Sequence, residues 1–184
     1  MFSMMICYAG IIFAQSFIFL RNKTYTVTYG IDYHCPMQVE WTIYRTWLGG
    51  GVGRSRTTFE TDTRLPPPSV RHADYSRSGY DRGHMIPSED RQLDKEQNRS
   101  TFLMSNVAPQ TPSLNRGAWL QTEIRCRQLA LVYDSVRVSA EALFLDSVPR
   151  FIDGTKIRIP SHFRKVARVA ATDSVLYIWT FSNK

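Results

Sequence analysis

Cysteine is scarce in this chain of 184 residues: there are three, and no two of them form a Cys-x-x-Cys pair. That excludes a disulfide-stapled miniprotein and gives no sign of a zinc ribbon. Lysine is scarce as well, with 5 against 18 arginines. Repeats and low-complexity tracts are missing, which excludes solenoids and linker-like segments. Charged residues at 21% and apolar residues at 43% exclude a disordered tail and a polytopic membrane protein. The length suits one domain with its own core, not two of ordinary size.

What remains is an arginine-rich basic chain, with 23 basic and 16 acidic residues and a net charge of +7. Guanidinium presents a planar two-pronged donor that fits phosphate oxygens, whereas ammonium acts as a point charge. A polyanionic partner accounts for that preference, and so does an ordinary solvated surface. Composition goes no further.

Residues 1–20 are almost entirely apolar, near the lower length limit for a membrane-spanning helix. A secretory signal cut near Gln15, after Ala14, fits this stretch. No Lys or Arg precedes the run, and Arg21 and Lys23 follow it, which disfavours export by charge bias. An uncleaved anchor and a buried hydrophobic strand or helix are the alternatives. The expected organisation is thus a signal or anchor over 1–20 and a folded domain over 21–184. Removal of the signal takes Cys7 with it, leaving Cys35 and Cys126 free to pair in an oxidising compartment.

Thr24-Tyr-Thr-Val-Thr-Tyr29 alternates and is β-branched, so it reads as a strand, and 39–47 reads as a second. Gly49-Gly-Gly51 and Pro66-Pro-Pro68 make 48–78 a long loop, a length uncommon unless it serves a site. The best helix runs from Arg116 to about Tyr133, with Trp119, Leu120, Ile124 and Leu131 near helical spacing and Asn115 as its cap. Short apolar runs at 136–138, 143–145, 157–159, 166–169 and 175–179, broken by Pro149, Gly154 and Pro160, read as strands. The outline is a β-rich α+β domain with one principal helix.

Three clusters carry chemistry: Tyr80-Asp-Arg-Gly-His-Met85, Ser105-Asn-Val-Ala-Pro-Gln110, and Leu114-Asn-Arg-Gly-Ala-Trp119 with Glu123 beyond. His34, His72 and His162 read as structural hydrogen-bonders. His84 differs because Arg82 and Gly83 adjoin it: glycine widens the backbone's conformational range, and the guanidinium is a permanent cation. A neutral imidazole that takes a proton from water, beside a guanidinium facing charge on phosphorus, suits attack on a phosphodiester. No dense carboxylate cluster lies near His84, but magnesium often takes one or two protein oxygens and fills the rest with water and phosphate. Asn115 can offer its side-chain carbonyl. Glu123, eight residues on, lies about 12 Å farther along a helix, so it would act through a water. On these residues alone, Asn115 as a mere cap and Glu123 as a solvated side chain remain open.

The three blocks, in this order and spacing, resemble the sugar-non-specific DNA/RNA endonucleases, the family that includes endonuclease G. The likeness runs from about Tyr25 to the end, and Ile157-Arg-Ile-Pro-Ser-His-Phe-Arg-Lys165 matches a family segment. The resemblance implies a ββα-metal (His-Me finger) nuclease fold: a mixed, mainly antiparallel sheet with one principal active-site helix. It implies His84 as general base, Asn115 as direct Mg2+ ligand (Mn2+ as substitute) and Glu123 as a ligand through water. Asn106 would orient the His84 strand or ring, Arg82 would steady the transition state, and Asp81 would accept a supporting hydrogen bond. An upstream arginine is also implied; Arg54 and Arg56 both qualify, with Arg56 preferred. Arg54, Arg56, Arg82 and Arg116 would bind substrate. The implied reaction is hydrolysis of DNA and RNA to 5′-phosphate ends.

Gln38 stands where relatives commonly carry Trp, and Arg91 replaces a usually apolar residue. Relatives continue past the position of Lys184 with another helix and strand, so the chain is C-terminally short against the family and an uncovered sheet face or edge is expected. An inhibitor protein and a homodimer join DNA and RNA as partners the resemblance leaves open, and a membrane only if the N-terminal run stays. The expected location is secreted or periplasmic, with membrane anchoring as the alternative. A catalytically inactive nucleic-acid-binding module and a membrane-tethered interaction domain are the competing functions.

Overall fold

The computed structural model describes residues 3–8, 11–52 and 58–184. Strands β1 (Ser3–Tyr8), β2 (Ile11–Arg21), β3 (Tyr25–Gly30), β4 (Cys35–Tyr44), β7 (Ser135–Leu143), β8 (His162–Val169) and β9 (Val175–Ser182) form one sheet in the order β1-β2-β3-β4-β7-β8-β9. Every pairing in it is antiparallel. β5 (Asp81–His84) and β6 (Val107–Gln110) form a separate antiparallel hairpin. Helix α1 (Lys95–Ser100) lies between these two strands in sequence; α2 (Pro112–Leu114) and α3 (Leu120–Tyr133) follow β6.

The sheet's faces follow from strand alternation. Val27, Val39, Ala140 and Lys165 stand opposite one another across β3, β4, β7 and β8, all fully buried under α3. Burial of each of the two valines contributes roughly 1.5–3 kcal/mol. The neighbouring register, Thr28, Gln38, Glu141 and Arg164, faces the other way and is only half-buried. Gln38 is therefore on the polar face, paired with Glu141. A second, smaller core of Val70, Tyr75, Met104, Val107, Ile152, Ile157 and Ile159 packs behind the β5–β6 hairpin, while Met85, Ile86 and Ala108 join the main core. The hairpin is thus wedged between two cores.

Several expectations change. The second strand starts at Cys35 and stops at Tyr44, and Arg45–Trp47 turns as a 3-10 helix. The run at 136–138 and Leu143 fall in one strand, β7, because Ser139 and Glu141 lie on the face opposite Val136, Val138, Ala140 and Ala142 within one ladder. The run at 157–159 makes only an isolated bridge, Phe151 to Arg158, not a strand. Helix α3 buries Thr122, Glu123, Cys126, Leu129 and Ala130, while Leu120 and Leu131 are exposed, so the face inferred from large aliphatics is the wrong one. Cys35 and Cys126 are buried free thiols rather than a disulfide, and burial pushes Cys126 up to about 12.

Phe17–Arg21 of β2 ladder onto Thr26–Gly30 of β3, with Leu20 in the core. The strand runs across the boundary that hydropathy sets at residue 20, and a cut before Gln15 leaves this ladder intact. Among the described residues no helix is long and apolar enough to cross a membrane. The exposed edge expected at the C-terminal strand is present, with Val175 and Ile178 of β9 at 53% and 61% exposure.

Arg91, the unusual cation, is almost wholly buried. Its guanidinium donates to the Thr24 hydroxyl, the Thr24 carbonyl and the Asp90 carbonyl at 2.7–2.8 Å and lies over Trp47, and burial holds it down to about 10. It joins the start of β3 to the loop that leaves His84.

Candidate active site

Alternation along β5 puts Arg82 and His84 on one face and Asp81 and Gly83 on the other. Gly83 is needed for space: a Cβ there would lie 2.3 Å from Gln110 Oε1. Its backbone is ordinary strand, so the expected conformational role is replaced by a packing one. The His84 ring sits against Phe59 and Phe102, with centroids 5.0 and 5.1 Å away, and its carbonyl accepts from Trp119 Nε1 at 3.2 Å. Ring and backbone are thus held separately, by aromatic walls and by the helix side.

Asn106 is fully buried just before β6. Its Oδ1 accepts from Ile86 N at 3.0 Å, and its Nδ2 donates to the carbonyls of Ile86 (3.0 Å) and Thr101 (2.8 Å). All three bonds are to backbone, so Asn106 holds the strand leaving His84 rather than the ring.

Asn115 is not the N-cap of α3. It has helical dihedrals inside a run that starts at Pro112, a residue suited to a helix's first position, and passes through a π-turn over Asn115–Trp119. Gly117, with φ −109° and ψ −109°, breaks that run so that α3 starts at Leu120. Asn115 Nδ2 donates to Asp81 Oδ2 at 2.9 Å, so the amide's acceptor, Oδ1, is left for another partner. Arg116 grips Asp81 with two bonds, Nε to Oδ2 at 2.8 Å and Nη2 to Oδ1 at 2.7 Å. The Arg116 charge holds the Asp81 carboxyl below its ordinary range. Asp81 therefore locks the β5 strand to the helix that carries Asn115. Arg82 donates from Nε and Nη2 to the His72 carbonyl at 3.2 and 2.8 Å and lies over Tyr75, which fixes its direction.

Glu123 is buried, and burial pushes it up to about 7 against the pull of Lys165. Lys165 is fully buried; its Nζ lies 3.9 Å from Glu123 Oε1 and 3.8 Å from the Trp119 ring centroid, with no hydrogen-bond acceptor among the described residues. Desolvation lowers its affinity for a proton.

These groups meet in one cleft of about 200 Å3, lined by Arg82, His84, Asn115, Arg116, Glu123, Leu120 and the 87–89 loop. A larger hollow of about 560 Å3 over Tyr44 and Trp47 brings no such groups together, so size does not select the site. Asn115 and Glu123 line the same cleft, one on either side of the Gly117 break. Arg54 and Arg56 lie outside the described residues. No cluster of three or more His, Cys, Asp or Glu gathers among the described residues. The donor set is instead a carboxamide oxygen oriented by Asp81 and a carboxylate whose burial one lysine only partly offsets. Two hard oxygens of that kind fit a magnesium ion that keeps most of its waters.

A model of the DNA/RNA non-specific endonuclease family matches residues 9–183. The chain belongs to that family. Among its relatives, a nuclease from Nostoc sp. is 39% identical over 62% of this chain and 42% of its own length. Mitochondrial endonuclease G from Homo sapiens is 33% identical over 72% of this chain and 48% of its own. The chain thus spans about half the length of the curated relatives it matches. A crystal structure of EndoG complexed with EndoGI superposes with a TM-score of 0.79 at 27% identity, covering 90% of this chain and 74% of that one. The expected ββα nuclease fold is borne out: β5, β6 and α3 form its finger.

Lys165 and Trp119 are visible in the sequence, but not as neighbours of the site. The cue available is a lysine at an inward position of a strand otherwise apolar on that face. Nothing in the sequence signals that Arg116 clamps Asp81.

Proposed function

We propose that this endonuclease-family chain hydrolyses phosphodiester bonds of DNA and RNA with little base preference, leaving 5′-phosphate ends. The observation that carries the reading is the convergence of His84, Arg82, Asn115 and Glu123 on one cleft. His84 takes a proton from the attacking water; the ring's place against Phe59 and Phe102 limits how far it can turn. Arg82, held from behind by the His72 carbonyl, and Arg116 bring cationic charge to the phosphate. Asn106 keeps the His84 strand in place and Asp81 sets the Asn115 amide. Asn115 would hold Mg2+ (or Mn2+) directly and Glu123 through a water. The bound ion would supply positive charge at the phosphate and the leaving 3′-oxygen. Contacts to phosphate and sugar rather than base edges explain indifference to sequence and predict inhibition by salt.

The apolar N-terminal run supports export to the periplasm or medium, or a membrane anchor if it is retained. The EndoG complex, whose subject is EndoG inhibition, supports an inhibitor protein as a partner class, and family resemblance supports a homodimer. The test is plasmid nicking in Mg2+ with an EDTA control and His84→Ala beside it. The variant is expected to lose about 10²–10⁴-fold in rate. Equal nicking by the variant removes His84 from the mechanism, and binding without nicking by the unmodified chain leaves the inactive-module reading.

A further inference from the structure

Lys165, fully buried, has no part in the chemistry proposed above. It stands on β8 opposite Ala140 of β7 and Trp179 of β9, on the sheet face that α3 covers. Its neighbours on that face of the strand, Phe163 and Ala167, are fully buried and apolar. An apolar side chain would suit the position. A buried ammonium with no hydrogen-bond acceptor among the described residues instead costs stability. The charge stands where packing does not require one.

Its contacts tie it to both halves of the site. Trp119 and Glu123 are four residues apart with helical dihedrals, so they share one helix face, and the Lys165 ammonium touches both. Nζ is 3.8 Å from the Trp119 ring centroid and 3.9 Å from Glu123 Oε1. Trp119 in turn donates from Nε1 to the His84 carbonyl at 3.2 Å, and Glu123, 8% exposed, lines the cleft. Among the described residues no other cation pairs with Glu123; Arg127 pairs with Asp90 at 3.1 Å instead. At 3.9 Å the ammonium attracts the carboxylate without donating a hydrogen bond to it. The pairing therefore takes up none of the carboxylate's acceptor sites.

We propose that Lys165 is a positioning residue for the metal side of the cleft: held against the Trp119 ring, it draws the Glu123 carboxylate into place and leaves its oxygens to accept from the ion's waters. This rests on the nuclease reading above, in which Glu123 serves the ion through a water. Groups that orient a ligand without touching the ion set metal affinity by about 10–100-fold.

The test titrates Mn2+ alone, without nucleic acid, and follows the EPR signal of the free ion at one pH. The proteins are the unmodified chain, Lys165→Met, Glu123→Gln and the double variant. Lys165→Met is expected to weaken Mn2+ binding about 10-fold or more where Glu123 is present, and by less than about 2-fold in the Glu123→Gln background. An equal loss in both backgrounds means that the lysine acts through packing, and tighter binding in Lys165→Met means that it only repels the ion. Either result overturns the proposal, as does no change. Should Lys165→Met not fold, Lys165→Gln, which also removes the charge, takes its place in the same cycle with the same expectation. Absence of Mn2+ binding by the unmodified chain, or binding unchanged in Asn115→Ala, sinks the metal reading and the proposal with it. Plasmid nicking by the unmodified chain judges the nuclease reading separately.

Discussion

Two buried polar clusters flank His84, and they are built in opposite ways. Around Asn106, each amide atom has a backbone partner: the oxygen accepts from Ile86 N, and the nitrogen serves two carbonyls. Around Glu123 the supply falls short: Lys165 Nζ stands 3.9 Å from the carboxylate, leans on the Trp119 face and has no hydrogen-bond acceptor among the described residues. A saturated network rigidifies a backbone, whereas an unsaturated one keeps charge and bonding capacity beside a cleft at a cost in stability. The first cluster serves architecture; of the second, Glu123 lines the cleft while Lys165 stays fully buried behind it.

The comparison breaks most sharply at Asn106. Asn106→Ala leaves the Ile86 amide and two carbonyls without partners and should cost about 3–5 kcal/mol in denaturant unfolding. A loss near zero would mean that the cluster is not structural.

The Glu123 side should respond differently. Replacing both charges, as Lys165→Met/Glu123→Gln, should be neutral or stabilising by about 1–4 kcal/mol, since neither is well compensated. Lys165→Met alone should destabilise more at pH 8 than at pH 5. Glu123 already has a folded value of about 7, above its ordinary 4.5, so the folded state binds the extra proton and stability falls as pH rises through that window. Loss of the lysine sharpens the fall, and thermal melts across pH would read it; a pH-independent loss would refute the pairing.

The smallest effect is expected at Asp81, which is partly exposed. Asp81→Asn should change stability by no more than about 1 kcal/mol. The Asp81 carboxyl is held below its ordinary range by Arg116, so its contribution is present above about pH 4 and fades as pH falls through the folded value. The same substitution frees Arg116 and unseats the Asn115 amide, so Mg2+ affinity by calorimetry should weaken far more than stability does; equal tolerance in both would deny Asp81 its positioning part.

The candidate site residues stand out in the sequence because the blocks that carry them are short and resemble those of the family. His84, Asn106, Asn115 and Glu123 are picked out as candidates in this way, whereas the residues alone leave Asn115 and Glu123 open. The β3 strand shows itself by alternation. The helix face misleads because large aliphatics draw the eye where Thr122, Cys126 and Ala130 make the contact. Asn115 resembles a cap because no sequence pattern announces the break at Gly117. Gly83 stands out beside His84, but the reason for it is hidden: its neighbour Gln110 comes from another strand.

The sequence alone determined a β-rich outline with one principal helix, because short-range backbone preferences do not depend on distant partners. The candidate site residues came from the resemblance of three short blocks to the family. Tertiary structure decided how those groups are held: Lys165 under Glu123 and Arg116 on Asp81. Such pairings join residues far apart along the chain, and burial, which gives them their strength, exists only once the two cores have closed around the hairpin.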